Sequence, residues 1–507
     1  MINQMKSGVI LNYAIFGLNA LVGIVYTPFM LNMLGKNEFG IYSLAGSIVA
    51  YLSILDLGFG NAVIRYTSKF RAQGLVLKQY EMFGMFTILY SGIALITVAA
   101  GLVLYSYIDV FFHATMTLSE IERTKIILLL LIFNLAITFP LSIYGAIITA
   151  YEFFVFPRVV QIIRIILNTI TMVCLLYLGY KAIAMVIVQT AFNLMALLAN
   201  VFYCKYKLKI KVIFKHIDVS LLKKISVYSF WIFISIIVDR IYWNTGQFIL
   251  GAFTGPATIA VFSLAVYMQS IYMGFSTTIS GVFLPKITAI VTKGDSEQTI
   301  SDLFIKIGRI QYIILAYVLS LFILFGRDFI IFWAGNDYKD TYLIALIFFA
   351  SLTVPLVQTV AVTILQARNR MKFRSLLYLA IAAFSLVFQI IATMKFGVLG
   401  CAATIALTLL IGQGLVMNIY YWKTQHLDIL AFWKEIARMS IIPTLLTFSW
   451  FFVLNIYPIN NIFTMCLQMT VFSICYIPMF LLFAMNDYER HLFLTPISNV
   501  TKKLFHA

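Results

Sequence analysis

The sequence is poor in charge. Only 11% of its 507 residues are Asp, Glu, Lys or Arg, whereas 62% are hydrophobic. A soluble domain carries about 25% charged residues, so this chain lacks the polar surface to face water on all sides. No polar stretch is long enough to form a separate soluble domain. We therefore expect an all-α polytopic membrane protein, since helices satisfy their own backbone hydrogen bonds within the bilayer.

Residues that support catalysis or metal binding are also scarce. The five cysteines form no C-x-x-C pair, and the five histidines show no metal-ligand spacing. The P-loop, H-E-x-x-H and G-x-S-x-G motifs are absent. The loops that we expect outside the membrane, from the orientation given below, are short. We expect a protein that is not an enzyme and that needs no metal or cofactor. Coupling to a proton or sodium gradient stays open.

The apolar stretches predict fourteen transmembrane helices, because each is close to the length of about 20 residues that crosses a bilayer. The first stretch is too long for the core of a secretory signal and is expected to be retained. The stretches are 9–31, 39–59, 81–105, 125–147, 160–178, 183–203, 225–250, 257–283, 310–332, 341–365, 375–394, 399–421, 439–457 and 462–484.

The distribution of Lys and Arg predicts the orientation. With the N-terminus in the cytoplasm, 28 of the 36 basic residues lie on the cytoplasmic side, seven lie outside, and Arg240 lies within a span. This asymmetry follows the positive-inside rule, so both termini are expected in the cytoplasm. The net charge of +17 then concentrates beside anionic membrane lipids, and no nucleic-acid partner is needed to explain it. The lysine run at 204–215 is either a headgroup-binding strip or a topology anchor.

A weak internal repeat has an offset of about 215–220 residues. Ile41–Ala45 matches Val261–Ala265, Pro140 matches Pro355, and Gly179 matches Gly397 in an outside turn. Six spans per half predict two parallel repeats, an arrangement in which transporters bind substrate between halves. The predicted domains are a six-helix lobe (1–203), a basic linker (204–224), a second six-helix lobe (225–421), and helices 13 and 14 with a cytoplasmic tail (422–507).

Polar side chains within the apolar stretches are the candidate substrate-binding residues. A charge deep in a span usually faces a partner or a water-filled cavity, because burial in hydrocarbon is unfavourable. The alternative for the small and hydroxyl residues is helix packing, and Arg164 could instead snorkel to the interface. The candidates found in this way are Asn19, Asp56, Arg164, Asp239, Arg240, Asn244, Gln247 and Tyr267.

The opening of the chain resembles a known family. Leu34–Tyr42, Leu55–Gly60 and Arg65–Tyr66 resemble the polysaccharide flippases of the O-antigen transporter type, which belong to the multidrug/oligosaccharidyl-lipid/polysaccharide exporter superfamily. The resemblance implies two six-helix lobes, alternating access, and a substrate on an undecaprenyl pyrophosphate carrier. That anionic carrier would suit Arg65, Arg164 and Arg240 as contacts. Many relatives carry an acidic residue near position 246, where this chain has Gly246.

We therefore expect a flippase that moves lipid-linked oligosaccharides across a bacterial inner membrane for O-antigen, capsule or exopolysaccharide synthesis. A polysaccharide polymerase and a chain-length regulator are candidate partners. The alternatives are a cation-coupled drug exporter, a peptidoglycan-precursor flippase and a scaffold of polysaccharide assembly that does not transport. The exporter would need several acidic groups in its cavity, and only Asp56 and Asp239 lie deep in spans.

Overall fold

The computed structural model describes residues 2–57, 59–214, 219–293, 296–368 and 370–492. Within these ranges the regular elements are helices and no strand occurs. The α-helices are α1 (Ile2–Leu52), α2 (Phe59–Ala72), α3 (Val76–Phe112), α4 (Leu118–Ala150), α5 (Val155–Tyr177), α6 (Ala182–Phe202), α7 (Val219–Trp243), α8 (Thr245–Phe253), α9 (Pro256–Lys293), α10 (Glu297–Ala334), α11 (Thr341–Leu356), α12 (Thr359–Ala367), α13 (Met371–Leu409), α14 (Met417–Lys423), α15 (Ile429–Ile456) and α16 (Ile462–Phe483).

The prediction of an all-α polytopic membrane protein is confirmed. Ten helical segments of the described chain are long and apolar enough to cross a membrane, and the bent pair α11 and α12 would form an eleventh span. Two of the long helices contain a break, at Gly35 in α1 and at Gly397 in α13. The predicted spans 1 and 2 lie on either side of Gly35, and spans 11 and 12 lie on either side of Gly397. The predicted stretches all overlap helices, although the second runs past the end of α1.

Glycines with positive φ recur at the spacing of the sequence repeat. Gly35 (φ +74) and Gly255 (φ +95) are 220 residues apart, and Gly179 (φ +86) and Gly397 (φ +57) are 218 apart. Other residues rarely adopt this left-handed conformation, since their Cβ atoms would clash with the backbone. At each of these glycines the chain changes direction between two consecutive helices. The two members of a pair therefore lie at equivalent places in the sequence repeat. The division into two six-helix lobes stays a prediction.

The described chain forms two compact units. Unit 1 comprises Met1–Ser263 with Leu386–Cys401, and unit 2 comprises Leu264–Ser385 with Ala402–Ala507. The core of unit 1 includes a cluster that joins α2, α3 and α4, with Phe59, Phe86 and Phe139 among its buried side chains. This packing holds α2, α3 and α4 of unit 1 together.

The end of the second predicted span differs from the expectation. The helix stops at Leu52, a 3-10 turn follows over Ser53–Asp56, and Leu57 adopts φ +53. The next helix, α2, buries Phe59, Ala62 and Val63 and exposes Arg65 and Lys69. This i, i+3, i+4 spacing of buried residues is typical of an amphipathic helix. Residues 59–72 therefore form a packed surface helix, which the search for apolar stretches did not find.

The lysine run ends in a segment without regular secondary structure on the surface of unit 1. Lys207, Lys209 and Lys211 are exposed, whereas the intervening apolar side chains pack against the core cluster. The amide of Ile213 donates to the carbonyl of Tyr80 at 3.2 Å, and a Cβ at position 84 would collide with the Ile213 backbone. Gly84 thus permits this close approach. Lys215 lies outside the described residues.

A buried ion-pair network joins three segments of unit 2. Arg309 of α10 donates to both carboxylate oxygens of Glu489, at 2.6 and 2.9 Å, and also pairs with Glu435 of α15. Arg309 is 6% exposed and Glu489 is fully buried. Bidentate Arg–carboxylate pairs have fixed geometry, so this network ties the segment after α16 to α10. Removing one partner would leave a buried charge without compensation.

We predict that Glu489→Ala lowers the stability of the protein by about 3–5 kcal/mol, the typical effect of breaking a buried pair from one side. Asp487→Ala is the matched control, because the Asp487 side chain is 93% exposed and its ion pair within the described chain is with Arg490, at 3.3 Å. Thermal unfolding in detergent should show a lower Tm for Glu489→Ala alone. Equal Tm values for the two variants would contradict the structural role of the network.

Candidate functional site

Unit 1 contains a polar cavity of about 560 Å³. Its walls come from both parts of α1 and from α4, α5 and α6, with Ser53 at the end of α1. The volume lies within the range of ligand pockets, about 300–1,000 Å³. The polar lining residues are Asn19, Tyr26, Tyr42, Ser43, Ser53, Asn134, Thr138, Arg164, Asn168, Thr169, Gln189 and Asn193. We refer to this space as the central cavity.

Arg164 of α5 is held in the central cavity by a network of amides. Its Nη1 donates to Asn193 Oδ1 at 3.0 Å. Asn193 in turn donates through Nδ2 to Asn134 Oδ1 at 2.7 Å and to Thr138 Oγ1 at 2.8 Å. The Asn193 carbonyl therefore faces the guanidinium, because its amide nitrogen is engaged by α4. Three helices fix one cation near the middle of α5.

Most donors of the Arg164 guanidinium remain available. A guanidinium has five N–H groups, and the bond to Asn193 is the one that Arg164 makes to the described residues. Its planar arrangement of donors matches the oxygens of carboxylates and phosphates. An oxyanion in the central cavity could therefore accept two parallel hydrogen bonds from Arg164.

The charge of the lining has one sign. Arg164 is the charged side chain among the cavity-lining residues of the described chain, and no carboxylate is among them. Within a membrane, an isolated charge interacts strongly because the surroundings have a low dielectric constant. The cavity therefore favours an anion over a cation.

Hydroxyl and amide groups form the rest of the polar lining. Tyr42 donates its hydroxyl to Gln189 Oε1 at 3.1 Å, and Tyr26 donates to the Met172 sulfur at 3.3 Å. The Asn168 side-chain carbonyl is buried and has no hydrogen-bond partner in the part of the chain that the structure describes. Such groups offer both donors and acceptors, as the hydroxyls of a sugar require. The lining thus fits a ligand that combines negative charge with hydroxyl groups.

Arg240 of α7 lies next to the central cavity. Its Nη2 is 3.4 Å from Ser53 Oγ, and Ser53 belongs to the lining. Its backbone carbonyl accepts a hydrogen bond from Tyr51 at 3.3 Å, and Tyr51 also bonds to Thr245 of α8. The break between α7 and α8 at Asn244 is therefore connected to the end of α1.

The other predicted residues lie elsewhere. Asp56 accepts a hydrogen bond from Tyr90 at 2.8 Å, beside the core cluster of unit 1, and does not line the central cavity. Of the nine candidates, Asn19 and Arg164 line this cavity. The remaining placements are Asp239 exposed on α7, Asn244 half-buried between α7 and α8, Gln247 buried in α8, Arg65 exposed on α2, and Tyr267 half-buried in unit 2.

Two pairs of polar lining residues are among those that were not found from the sequence. Asn134 and Thr138 are four residues apart on α4, and Gln189 and Asn193 are four residues apart on α6. Each pair therefore lies on one face of its helix. Polar pairs at this spacing in otherwise apolar spans were the available signal.

We predict that a cysteine at Thr169 reacts with water-soluble thiol reagents, whereas one at Ile170 does not. Thr169 lines the central cavity, and the neighbouring Ile170 is 55% exposed on the apolar outer surface of α5. The measurement is the rate of modification in a variant without the five native cysteines. The positive cavity should react faster with an anionic sulfonate reagent than with a cationic ammonium reagent of equal size.

The Arg164→Gln substitution should abolish this preference for the anionic reagent. Failure of Thr169→Cys to react with the water-soluble reagents would contradict a water-filled central cavity. A preference for the cationic reagent would contradict the positive charge of the cavity.

Comparisons with known proteins identify the fold. The lipid II flippase MurJ, in an inward closed conformation, aligns with 93% of this chain and 99% of its own, with a TM-score of 0.67 and 16% identity. The MATE multidrug transporter DinF-BH aligns with 83% of this chain and 95% of its own, with a TM-score of 0.57 and 16% identity. An inward-facing multidrug resistance MATE transporter of the MOP superfamily aligns with 82% of this chain and 99% of its own, with a TM-score of 0.55 and 14% identity.

Sequence comparison identifies the family. A search of curated proteins gives no significant match. The family model described as "Polysaccharide biosynthesis protein" matches residues 5–291, which is more than half of the chain. The matched region includes every wall of the central cavity. The chain belongs to this polysaccharide biosynthesis family, and its fold is like that of the lipid II flippase MurJ and the MATE transporters.

Proposed function

We propose that this protein is a flippase for oligosaccharide units linked to undecaprenyl pyrophosphate. It moves them from the cytoplasmic to the outer leaflet of a bacterial inner membrane, by alternating access, for the synthesis of O-antigen, capsule or exopolysaccharide. Both termini lie in the cytoplasm, as the distribution of Lys and Arg favours. The protein binds and moves its substrate without catalysing a reaction and without a cofactor.

The observation that carries this proposal is the positive, hydroxyl- and amide-lined central cavity around Arg164. A pyrophosphate must leave water to cross a bilayer, and an unpaired charge in hydrocarbon is strongly unfavourable. Arg164 offers unoccupied donors to the phosphate oxygens. The Gln189 side-chain nitrogen and the Ser43 and Thr169 hydroxyls of the lining are groups that can hydrogen-bond to sugar hydroxyls. The lipid tail is apolar, so it needs no polar contacts and stays in the bilayer.

The charge of the cavity also separates this proposal from drug export. A transporter of cationic drugs needs negative charge at its binding site, and the central cavity has no carboxylate among its described lining residues. The Asp56 carboxylate is engaged by the Tyr90 hydroxyl beside the core of unit 1. An anionic substrate is therefore favoured over a cationic drug.

The exposed lysines of residues 207–211 support contact with anionic lipids. Lys207, Lys209 and Lys211 point away from the core cluster, because the residues between them pack against it. Each basic residue near an anionic leaflet contributes about 1 kcal/mol of attraction. We propose that this segment lies at the cytoplasmic headgroups. A polymerase and a chain-length regulator remain the proposed protein partners.

A peptidoglycan-precursor flippase is the second candidate, favoured by the structural likeness to MurJ. Both candidates carry a sugar on a polyprenyl pyrophosphate, so the cavity chemistry suits both. Deletion of the gene separates them, since loss of a peptidoglycan-precursor flippase stops growth. Loss of a surface-polysaccharide flippase should remove the polymer and leave growth intact.

We predict that Arg164→Gln lowers flipping by at least about tenfold, because charge-assisted hydrogen bonds contribute roughly 1.5–3 kcal/mol each. Arg164→Lys should retain part of the activity, since it keeps the charge and loses the two-pronged geometry. The assay reconstitutes the protein in liposomes with an undecaprenyl-pyrophosphate-linked oligosaccharide and measures how much becomes accessible to an external glycosidase.

Arg158→Gln is the matched control for this experiment. Arg158 lies six residues earlier on α5, donates to Gln161 at 3.3 Å and does not line the central cavity. Its substitution should leave flipping unchanged. Full activity in Arg164→Gln, with equal protein in the liposomes, would remove the central cavity from the transport path.

A further inference from the structure

A second polar cavity lies where helices of unit 1 begin. It has a volume of about 370 Å³ and is separate in its lining from the central cavity. The part of α1 after Gly35, the N-terminus of α4 and the residue before α6 contribute to it. These connections lie at the end of unit 1 that the basic-residue distribution places outside, so we refer to the space as the outer vestibule.

The outer vestibule carries more positive than negative charge. Its lining includes Lys36, Arg123 and Lys181, opposed by the carboxylates of Glu38 and Glu120. Lys36 and Lys181 form no ion pair with the residues that the structure describes. Helix N-termini add partial positive charge, and no side chain caps the N-terminus of α6. An anion is therefore favoured here.

Glu120 is fully occupied by the start of its own helix. It accepts hydrogen bonds from the Thr117 amide at 2.9 Å and from Asn37 at 3.2 Å, and it completes the capping box of α4. Its negative charge serves to stabilise the N-terminus of α4. Glu120 forms no ion pair with Lys36 or Lys181 in the described chain, so both ammonium groups are available to another anion.

Glu38, in contrast, is buried, and only one of its two carboxylate oxygens has a partner in the described chain. The residue is 5% exposed, and its Oε1 pairs with Arg123. Its Oε2 is buried without a hydrogen-bond partner in the described chain. A buried acceptor without a donor costs about 1–3 kcal/mol, and more when it is charged. Glu38 lines the vestibule, so rotation of its carboxylate toward this space would let a ligand hydroxyl supply the missing donor.

We propose that the outer vestibule binds a ligand that combines an oxyanion with neighbouring hydroxyl groups, as a glycosyl phosphate does. Lys36 and Lys181 hold the oxyanion, and Glu38 accepts from a hydroxyl. Two sources share this chemistry: the sugar next to the carrier pyrophosphate, and an acidic sugar within the oligosaccharide. The vestibule would receive the substrate after it has crossed the membrane, and this role rests on the proposed function.

The position of Tyr42 links the two cavities. Tyr42 lines the central cavity and is four residues after Glu38 on α1, a rise of about 6 Å. Its hydroxyl is engaged by Gln189 of α6, the helix that begins at the vestibule after Lys181. The second part of α1 therefore contributes to the walls of both cavities.

The test measures binding of small probes to the full-length protein in detergent by titration calorimetry. The Arg164→Gln variant is the background, so that the central cavity contributes little to the signal. The probes are glucose 1-phosphate, inorganic phosphate and glucose. We expect glucose 1-phosphate to bind more tightly than either of the others, because it alone offers both an oxyanion and hydroxyl donors.

Substitution of the vestibule lysines gives the decisive comparison. Lys36→Gln with Lys181→Gln should weaken binding of glucose 1-phosphate by about tenfold. Lys339→Gln with Lys395→Gln is the matched control, since both lysines are exposed and lie outside the vestibule. Glu38→Gln should reduce the advantage of glucose 1-phosphate over phosphate. The lysine variants test the site even if Glu38→Gln fails to fold.

A further probe, glucuronate, distinguishes the two sources. Tighter binding of glucuronate than of glucose 1-phosphate would assign the site to an acidic sugar, and the reverse order would assign it to the carrier phosphate. Absence of binding, or equal loss in both lysine pairs, would overturn the vestibule site. In that case, loss of flipping in Arg164→Gln alone would still support the proposed function. Vestibule binding without any flipping would reject only the proposed function.

Discussion

A cation held within the bilayer must find polar partners, and this constraint organises unit 1. Arg164 is located midway along α5, where hydrocarbon would otherwise surround it. Asn193 accepts from its guanidinium and donates to Asn134 and Thr138, so three helices are joined by one amide. The network does not consume the remaining donors of Arg164. The same arrangement therefore stabilises the helices and keeps a positive site open to a ligand.

The sequence was sufficient to predict the helical architecture. Long apolar stretches can satisfy their backbone hydrogen bonds in a bilayer only as helices, so composition alone strongly limits the fold. Gly179 and Gly397 were predicted to lie in outside turns, and the structure has positive φ at both and also at Gly35 and Gly255. The helix α2 was missed because its apolar face is narrow and its polar face carries Arg65, Lys69 and Arg71. Hydrophobic length detects spans, whereas a surface helix is detected by periodicity.

The candidate site was predictable only in part. Asn19 and Arg164 were recognised because single polar residues stand out in apolar stretches, and both line the central cavity. Asp56 was chosen on the assumption that the second predicted span, 39–59, is one continuous helix. The helix ends at Leu52, so the direction of Asp56 follows the 3-10 turn and leads to Tyr90. The partners of Arg164 come from α4 and α6, and contacts between helices depend on tertiary packing that the spacing of residues along one helix does not encode.

The central cavity and the outer vestibule present related chemistry at two levels of unit 1. Both offer cations together with groups that hydrogen-bond to hydroxyls. The most direct test of this account is a cryo-electron microscopy structure of the protein in a lipid nanodisc with an undecaprenyl-pyrophosphate-linked oligosaccharide. The account predicts phosphate density within hydrogen-bonding distance of the Arg164 guanidinium, in the central cavity. A lipid acyl chain in that cavity, with the phosphate bound elsewhere in the protein, would contradict it.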